Sequence, residues 1–162
     1  MGMVYAERNE NIEDGTGISS INEKGSGYIP AIMKCIIAGS RTINDYSLLL
    51  KAIADSGWAN EITEVVCGDA VGADSLGDRW AKEKNIPVKH FPADWKNIKT
   101  KDAIVRINSF GKYNAKAGID RNEKMAKYAD KLIAIIKDWS KGTTHMIETM
   151  QRLDKDVYIW EV

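Results

Sequence analysis

At 162 residues with 44% apolar content, the chain is long enough for one domain with a sizeable core and too short for two ordinary ones. Basic and acidic residues balance at 23 each, which removes any composition-level argument for a nucleic-acid or membrane-surface protein. No apolar run reaches membrane length and no signal-peptide pattern is present, so the expectation is a cytoplasmic protein with no membrane partner.

Residues 1–31 are dominated by Asn, Glu, Gly and Ser around the isolated Ile12, Ile18 and Ile21. They read as a flexible extension, with a strap across a partner subunit as the alternative. From residue 32 the pattern becomes that of one folded domain. A strand is predicted at Lys34–Ala38, then a helix over Tyr46–Ser56 with Leu48, Leu49, Ala52 and Ile53 on one face and Gly57 as its stop signal. A second strand follows at Thr63–Cys67. A second helix runs from about Ala73 to Lys84, where Ala73, Leu76, Gly77, Trp80 and Ala81 have the spacing of a buried stripe. A short third strand covers about Val88–Phe91.

The connection that comes next, 96–117, is longer than ordinary loops and carries Lys96, Lys99, Lys101, Arg106, Lys112 and Lys116 against one acid, Asp102. It reads as a mobile basic lid over an anionic ligand. The alternatives are a solvated insertion, a small helix around Asp102–Ile107, or a single-stranded nucleic-acid contact using Phe110 and Tyr113. A third helix is expected from near Gly118–Asp120 to Tyr128. The fourth strand, Lys131–Ile136, is the most continuous apolar run and reads as central. A fourth helix from near Thr143 and a fifth strand at Val157–Trp160 complete the chain.

Strands alternating with helices predict an α/β fold: a Rossmann-like three-layer sandwich whose mostly parallel sheet has about five strands. Ligands of such sheets bind beyond the strand C-termini. The loops there hold the unusual residues. Gly39-Ser40-Arg41 joins an apolar strand to a helix, the grammar of an anion site, and Arg41 and the Ser40 hydroxyl are candidate phosphate contacts. Gly68-Asp69-Ala70-Val71-Gly72-Ala73-Asp74 repeats that grammar; Asp74 either favours its helix dipole or accepts hydrogen bonds from a ribose. Asp94-Trp95 suits ribose contact plus base stacking, with turn capping and core cover as the plain alternative, and Trp139 offers a second stacking surface. Gly118, Arg121 and Asn122 open a helix and could hold an anion. Ser140, Gly142 and Thr143 are both an ordinary helix cap and a phosphate cradle, without the full GxxxxGK[ST] spacing of a P-loop.

No metal site and no cofactor are expected. His90 and His145 have no ligands at metal spacing, and Cys35 and Cys67, inside strand-like runs, read as buried reduced thiols. No nucleophile elbow or Ser/His/Asp set stands out.

These small motifs, in this order, resemble the YspA/cpYpsA-related branch of the SLOG (SMF/DprA–LOG) Rossmann-like superfamily. The resemblance rests on Ile37–Arg41, Cys67–Asp74, Trp80-Ala81, Phe91–Trp95, Ala117–Asn122 with Met125, and Gly142-Thr143 with Met146-Ile147, and covers about residues 33–160. It implies a pocket for a nucleotide or nucleotide-derived molecule, such as ADP-ribose, an NAD-related species or a cyclic nucleotide signal, and a homodimer or higher homo-oligomer. Relatives sense signals in anti-phage systems, cleave nucleotide N-glycosidic bonds, or bind single-stranded DNA. The catalytic Glu of the LOG hydrolases corresponds to Met146, and Glu148 falls on a different helix face, which weakens the hydrolase reading. Three expectations follow: ligand binding without chemistry, as in a phage-type sponge for an immune signal; a LOG-like N-glycosidase, with Asp74 or Asp94 as its carboxylate; and single-stranded nucleic-acid binding, disfavoured by zero net charge.

Overall fold

The computed structural model describes residues 31–162; the expectations for the N-terminal extension fall outside these residues, all but its last. Five strands form one parallel sheet: β1 (Lys34–Gly39), β2 (Glu64–Cys67), β3 (Val88–His90), β6 (Lys131–Ile136) and β7 (Asp156–Glu161). Their order is β3-β2-β1-β6-β7. Helices α1 (Tyr46–Ser56), α2 (Ala73–Glu83), α3 (Ala117–Tyr128) and α4 (Lys141–Arg152) flank it, giving the expected Rossmann-like arrangement. The chain crosses the sheet once, from the β3 edge to β6 on the far side of β1. Strand order reverses there, so the crevice between the loops after β1 and β6 is where such sheets take ligands.

Two apolar layers follow from the period-2 alternation of side chains along the strands. Cys35, Ile37, Val65, Ile133, Ile135 and Tyr158 face α1 and α2, where they meet Leu49, Ala52, Ile53 and Trp80. Ile36, Ala38, Val66, Leu132, Ala134 and Ile136 face α3 and α4, where they meet Met125, Met146, Ile147 and Met150. Residues Leu132–Ile136 of β6 are buried on both faces, as a central strand must be. Each large aliphatic side chain buried this way contributes about 1.5–3 kcal/mol.

Local signals set the helix ends. The Asp45 carboxylate accepts from the Ser47 amide at 2.9 Å to start α1, and Gly57, at φ 73°, closes it. Ser140 starts α4, one turn earlier than the Gly142-Thr143 pair suggests: its Oγ accepts from the Thr143 amide at 3.2 Å.

The basic connection does not form the small helix around Asp102–Ile107. After an irregular stretch over residues 96–104 it folds as an antiparallel hairpin, β4 (Val105–Asn108) and β5 (Gly111–Asn114). Buried Asn114 fixes its base. Its Oδ1 accepts from the amides of Ile104 and Lys116, and its own amide donates to the Trp95 carbonyl.

Candidate functional site

Three loops converge at the switch point, and glycine is required where they touch. A Cβ on Gly39 would lie 1.9 Å from the Ile135 carbonyl oxygen; one on Gly72, at φ 80°, would lie 2.5 Å from the Ser40 carbonyl oxygen. Side-chain-free backbone therefore lets the loops after β1, β2 and β6 press together.

Ser40 is the knot between them. It is buried, and its Oγ donates to the Asp138 carbonyl at 2.8 Å while accepting from the amides of Lys137 and Asp138 at 2.9 and 3.0 Å. Its carbonyl accepts from the Ala73 amide at 3.3 Å. In the structure the donor and acceptor capacity of this hydroxyl, expected as a phosphate contact, is taken up holding the loops.

The crevice holds two adjoining hollows. The inner one has room for about 80 Å³ and is lined by Arg41, Asp74, Arg121, Asn122, Gly142 and Thr143, among others, with Met146 on its apolar side. The outer cleft, about 370 Å³, runs along Gly68, Asp69, Ala70 and Val71 to Pro92 and Trp95. Arg41 and Arg121 line both.

The two arginines differ. Arg41 is exposed. Arg121 is held: its Nη1 donates to the Gly68 carbonyl and its Nε donates to Asn122 Oδ1 at 3.1 Å. Asn122, buried, turns its amide nitrogen to the Gly142 carbonyl at 3.1 Å and so ties α3 to the first turn of α4. Asn122 therefore braces Arg121 while also lining the inner hollow.

Asp74 is the one carboxylate lining the inner hollow, and it is 6% exposed. Burial pushes its carboxyl up to about 6, against the pull of Arg121, of the Ala70 and Gly68 amides, and of Arg41. A Cβ on Gly68 would touch both Asp74 Oδ2 and Arg121 Nη1 at 2.9 Å, so that glycine lets the acid and the guanidinium meet over the turn.

The fourth helix contributes its N-terminus. The Thr143 amide is taken by Ser140, whereas those of Lys141 and Gly142 have no intrahelical partner. Glu148 is exposed, on the far side of the helix from buried Met146. The side chain that helix α4 sets into the hollow's wall at 146 is therefore a thioether.

Asp94 and Trp95 border different hollows. Trp95 borders the outer cleft, packs over Gly118, where a Cβ would lie 2.9 Å from its Cη2, and meets Tyr113 of the hairpin edge-on at 6.4 Å. Asp94 lines a third hollow with Asn97, Asp120 and Lys124, which shares Pro92 and Arg121 with the outer cleft. Trp139 is half exposed and borders neither Arg41-lined hollow.

Sequence spacing misses one constellation. Cys67 and His90 are register partners at the ends of β2 and β3, and Asp69 follows two residues on. The sulfur, one Asp69 oxygen and a His90 ring nitrogen lie within 4.8 Å of one another. The expectation that His90 lacks partners at metal spacing holds only along the chain, because the strand register supplies them. Burial, with Asp74, Asp69 and Asp78 nearby, pushes the Cys67 thiol up to about 12, and the Asp69 amide pulls the other way.

Residues 33–97 match the model of YAcAr, the YspA, cpYpsA-related SLOG family. The X-ray structure of DNA processing protein A (DprA) from Streptococcus pneumoniae is similar in fold, with a TM-score of 0.55 at 18% identity over 78% of this chain and 49% of that one. The chain thus spans about half the length of that protein. No curated protein matches it. Among the described residues, no helix is long and apolar enough to cross a membrane.

Proposed function

We propose that the protein binds a nucleotide-derived small molecule across the two hollows, with a phosphate between Arg41 and Arg121 and the base against Trp95. The observation that carries this reading is that both arginines line both hollows, so one anionic group at their junction is bound by two guanidiniums while the rest of the ligand extends along the cleft. The amides of Lys141 and Gly142 at the start of α4 add donors of the right sign. The SLOG match over residues 33–97 supports a nucleotide-related ligand, and we assign it to the ADP-ribose or NAD-related class or to cyclic nucleotide signals.

Binding without turnover is the first reading. Met146 offers no proton chemistry where the LOG enzymes use a glutamate, which suits a protein that sequesters its ligand, as a phage-type sponge for an immune signal does in the cytoplasm. We take the working unit to be a homo-oligomer, with the hairpin as a basic lid beside Trp95. A second reading, N-glycosidase, rests on Asp74, a buried acid in the same hollow as the phosphate site. The similarity in fold to DprA, a DNA processing protein, supports the third, a nucleic-acid ligand on the same cations.

Mass spectrometry of small molecules released from the purified protein, with a panel of nucleotides, ADP-ribose, NAD, cyclic signals and short single strands, tests all three. A ligand recovered unchanged and lost in Arg41→Ala supports sequestration. Release of free base with turnover moves the protein to the glycosidases. Salt-sensitive retention of the single strands alone moves it to nucleic-acid binding.

A further inference from the structure

Beside the nucleotide crevice lies a second cluster with a different chemistry. Cys67 ends β2, His90 ends β3 as its register partner, and Asp69 turns back toward both from a left-handed backbone at φ 58°. His90 Nδ1 lies 2.5 Å from Asp69 Oδ1. On the other side of the ring, Nε2 lies 3.7 Å from Asp78 Oδ1, a buried oxygen with no hydrogen-bond partner among the described residues. At 3.7 Å that contact is too long for a hydrogen bond and does not fix the tautomer. The 2.5 Å contact between Nδ1 and Asp69 is one that a cation holds together. A proton suffices for that pair alone. The sulfur of Cys67 on the same side completes a set of S, N and O donors within 4.8 Å that a metal ion uses and a proton does not.

We propose that Cys67 Sγ, Asp69 and His90 Nδ1 form a three-ligand site for a zinc-like divalent transition-metal ion, with its fourth position open toward the outer cleft. The donor types suit borderline-soft ions such as Zn²⁺ or Co²⁺ and disfavour Mg²⁺ or Ca²⁺. Thiolate and carboxylate neutralise the 2+ charge, the thiol proton passing to solvent on binding. Around one tetrahedral ion the donors sit roughly 3–4 Å apart, so the Nδ1–Oδ1 gap widens on binding. The Asp69 and His90 side chains, 41% and 45% exposed, are free to make that move. Asp78 Oδ1, 3.7 Å from Nε2, is placed to accept from that nitrogen once the ion holds Nδ1. Asp69 also borders the cleft that holds Arg41, Arg121 and Trp95, so the open position faces the anionic part of a bound nucleotide. That last role rests on the nucleotide-binding reading; the ion site itself does not.

Cobalt(II) titrated into the full chain after chelator treatment, with no nucleotide present, tests the site. The expected result is a single ion per chain, with tetrahedral visible bands and a sulfur-to-cobalt charge-transfer band in the near ultraviolet. Cys67→Ser should lose the charge-transfer band, and Asp78→Asn should weaken affinity by about tenfold. Failure to take up cobalt, or a charge-transfer band that persists in Cys67→Ser, overturns the proposal. Should Cys67→Ser not fold, His90→Ala and Asp69→Asn decide, since unchanged cobalt affinity in both also overturns it. ADP-ribose binding by the metal-free protein is measured separately, so that failure of the ion site and failure of the nucleotide site are read apart.

Discussion

Ser40 and Asp138 are joined twice, the Ser40 hydroxyl donating to the Asp138 carbonyl at 2.8 Å and accepting from its amide at 3.0 Å. The Lys137 amide shares the same oxygen at 2.9 Å. Ser40→Ala therefore leaves two amides without an acceptor in a part-buried place, at a cost of up to about 1–3 kcal/mol. Urea denaturation should show this loss. Any fall in nucleotide affinity should follow from the loosened loops, so inorganic phosphate and whole nucleotide should weaken by the same factor.

The two arginines separate binding from stability. Arg41 is exposed, so Arg41→Ala should leave the melting temperature nearly unchanged while removing charge-assisted hydrogen bonds worth about 1.5–3 kcal/mol, a loss in affinity of roughly tenfold to a hundredfold. Arg121→Ala should lower both, because Arg121 also serves the Gly68 carbonyl and is the leading charge that favours ionised Asp74. Calorimetric titration beside thermal denaturation checks the pair. Equal stability losses in the two variants would contradict the division of roles.

How far the site could be read in advance depended on distance along the chain. The alternation of apolar runs gave the five parallel strands and four helices because β1 and β6, filled with Ile and Ala, leave no other period to fit. The hairpin at Val105–Asn114 escaped although Val105-Arg106-Ile107-Asn108 alternates, because the run is only four residues long and every residue of β4 stays exposed. Side-chain roles were less legible than positions. Ser40, in its loop, and Asn122, in α3, do border the crevice, yet both are turned to the protein's own backbone or neighbours, a choice that only the approach of a distant segment decides. Asp94 and Trp95 are adjacent in sequence and still border different hollows. The Cys67–Asp69–His90 cluster needed the register of β2 on β3, which no spacing of motifs contains.

Base recognition should depend on Trp95 and on the absence of a side chain at Gly118. An alanine methyl at 118 would lie 2.9 Å from the indole Cη2 and must push the ring from its seat. Trp95→Ala should weaken nucleotide binding by the worth of one stacked base, about 1–3 kcal/mol, and Gly118→Ala by part of it. Neither should change the affinity for ribose 5-phosphate. Fluorescence titration of the indole, with and without a base on the ligand, distinguishes stacking from a general collapse of the pocket.

Asp74 makes both stability and affinity depend on pH. Its carboxyl is raised from 3.8 to about 6 in the folded protein, with burial the largest cause. A raised acid binds its proton more tightly when folded than when unfolded. Its contribution is therefore fully present below pH 3.8 and is lost as pH rises through about 6, an effect on the order of 3 kcal/mol. Asp74→Asn, which cannot ionise, should flatten that part of the stability–pH curve between pH 4 and 7. Ligand affinity moves in the same direction for a separate reason. Above pH 6 the ionised acid offsets one of the two guanidiniums that face the phosphate; below it, the neutral acid leaves both positive charges to the ligand. Binding of a phosphodiester, whose own charge is constant over this range, should tighten from pH 7 to pH 5 in the native protein and stay level in Asp74→Asn. If affinity keeps rising toward low pH in that variant, Asp74 is not the titrating group.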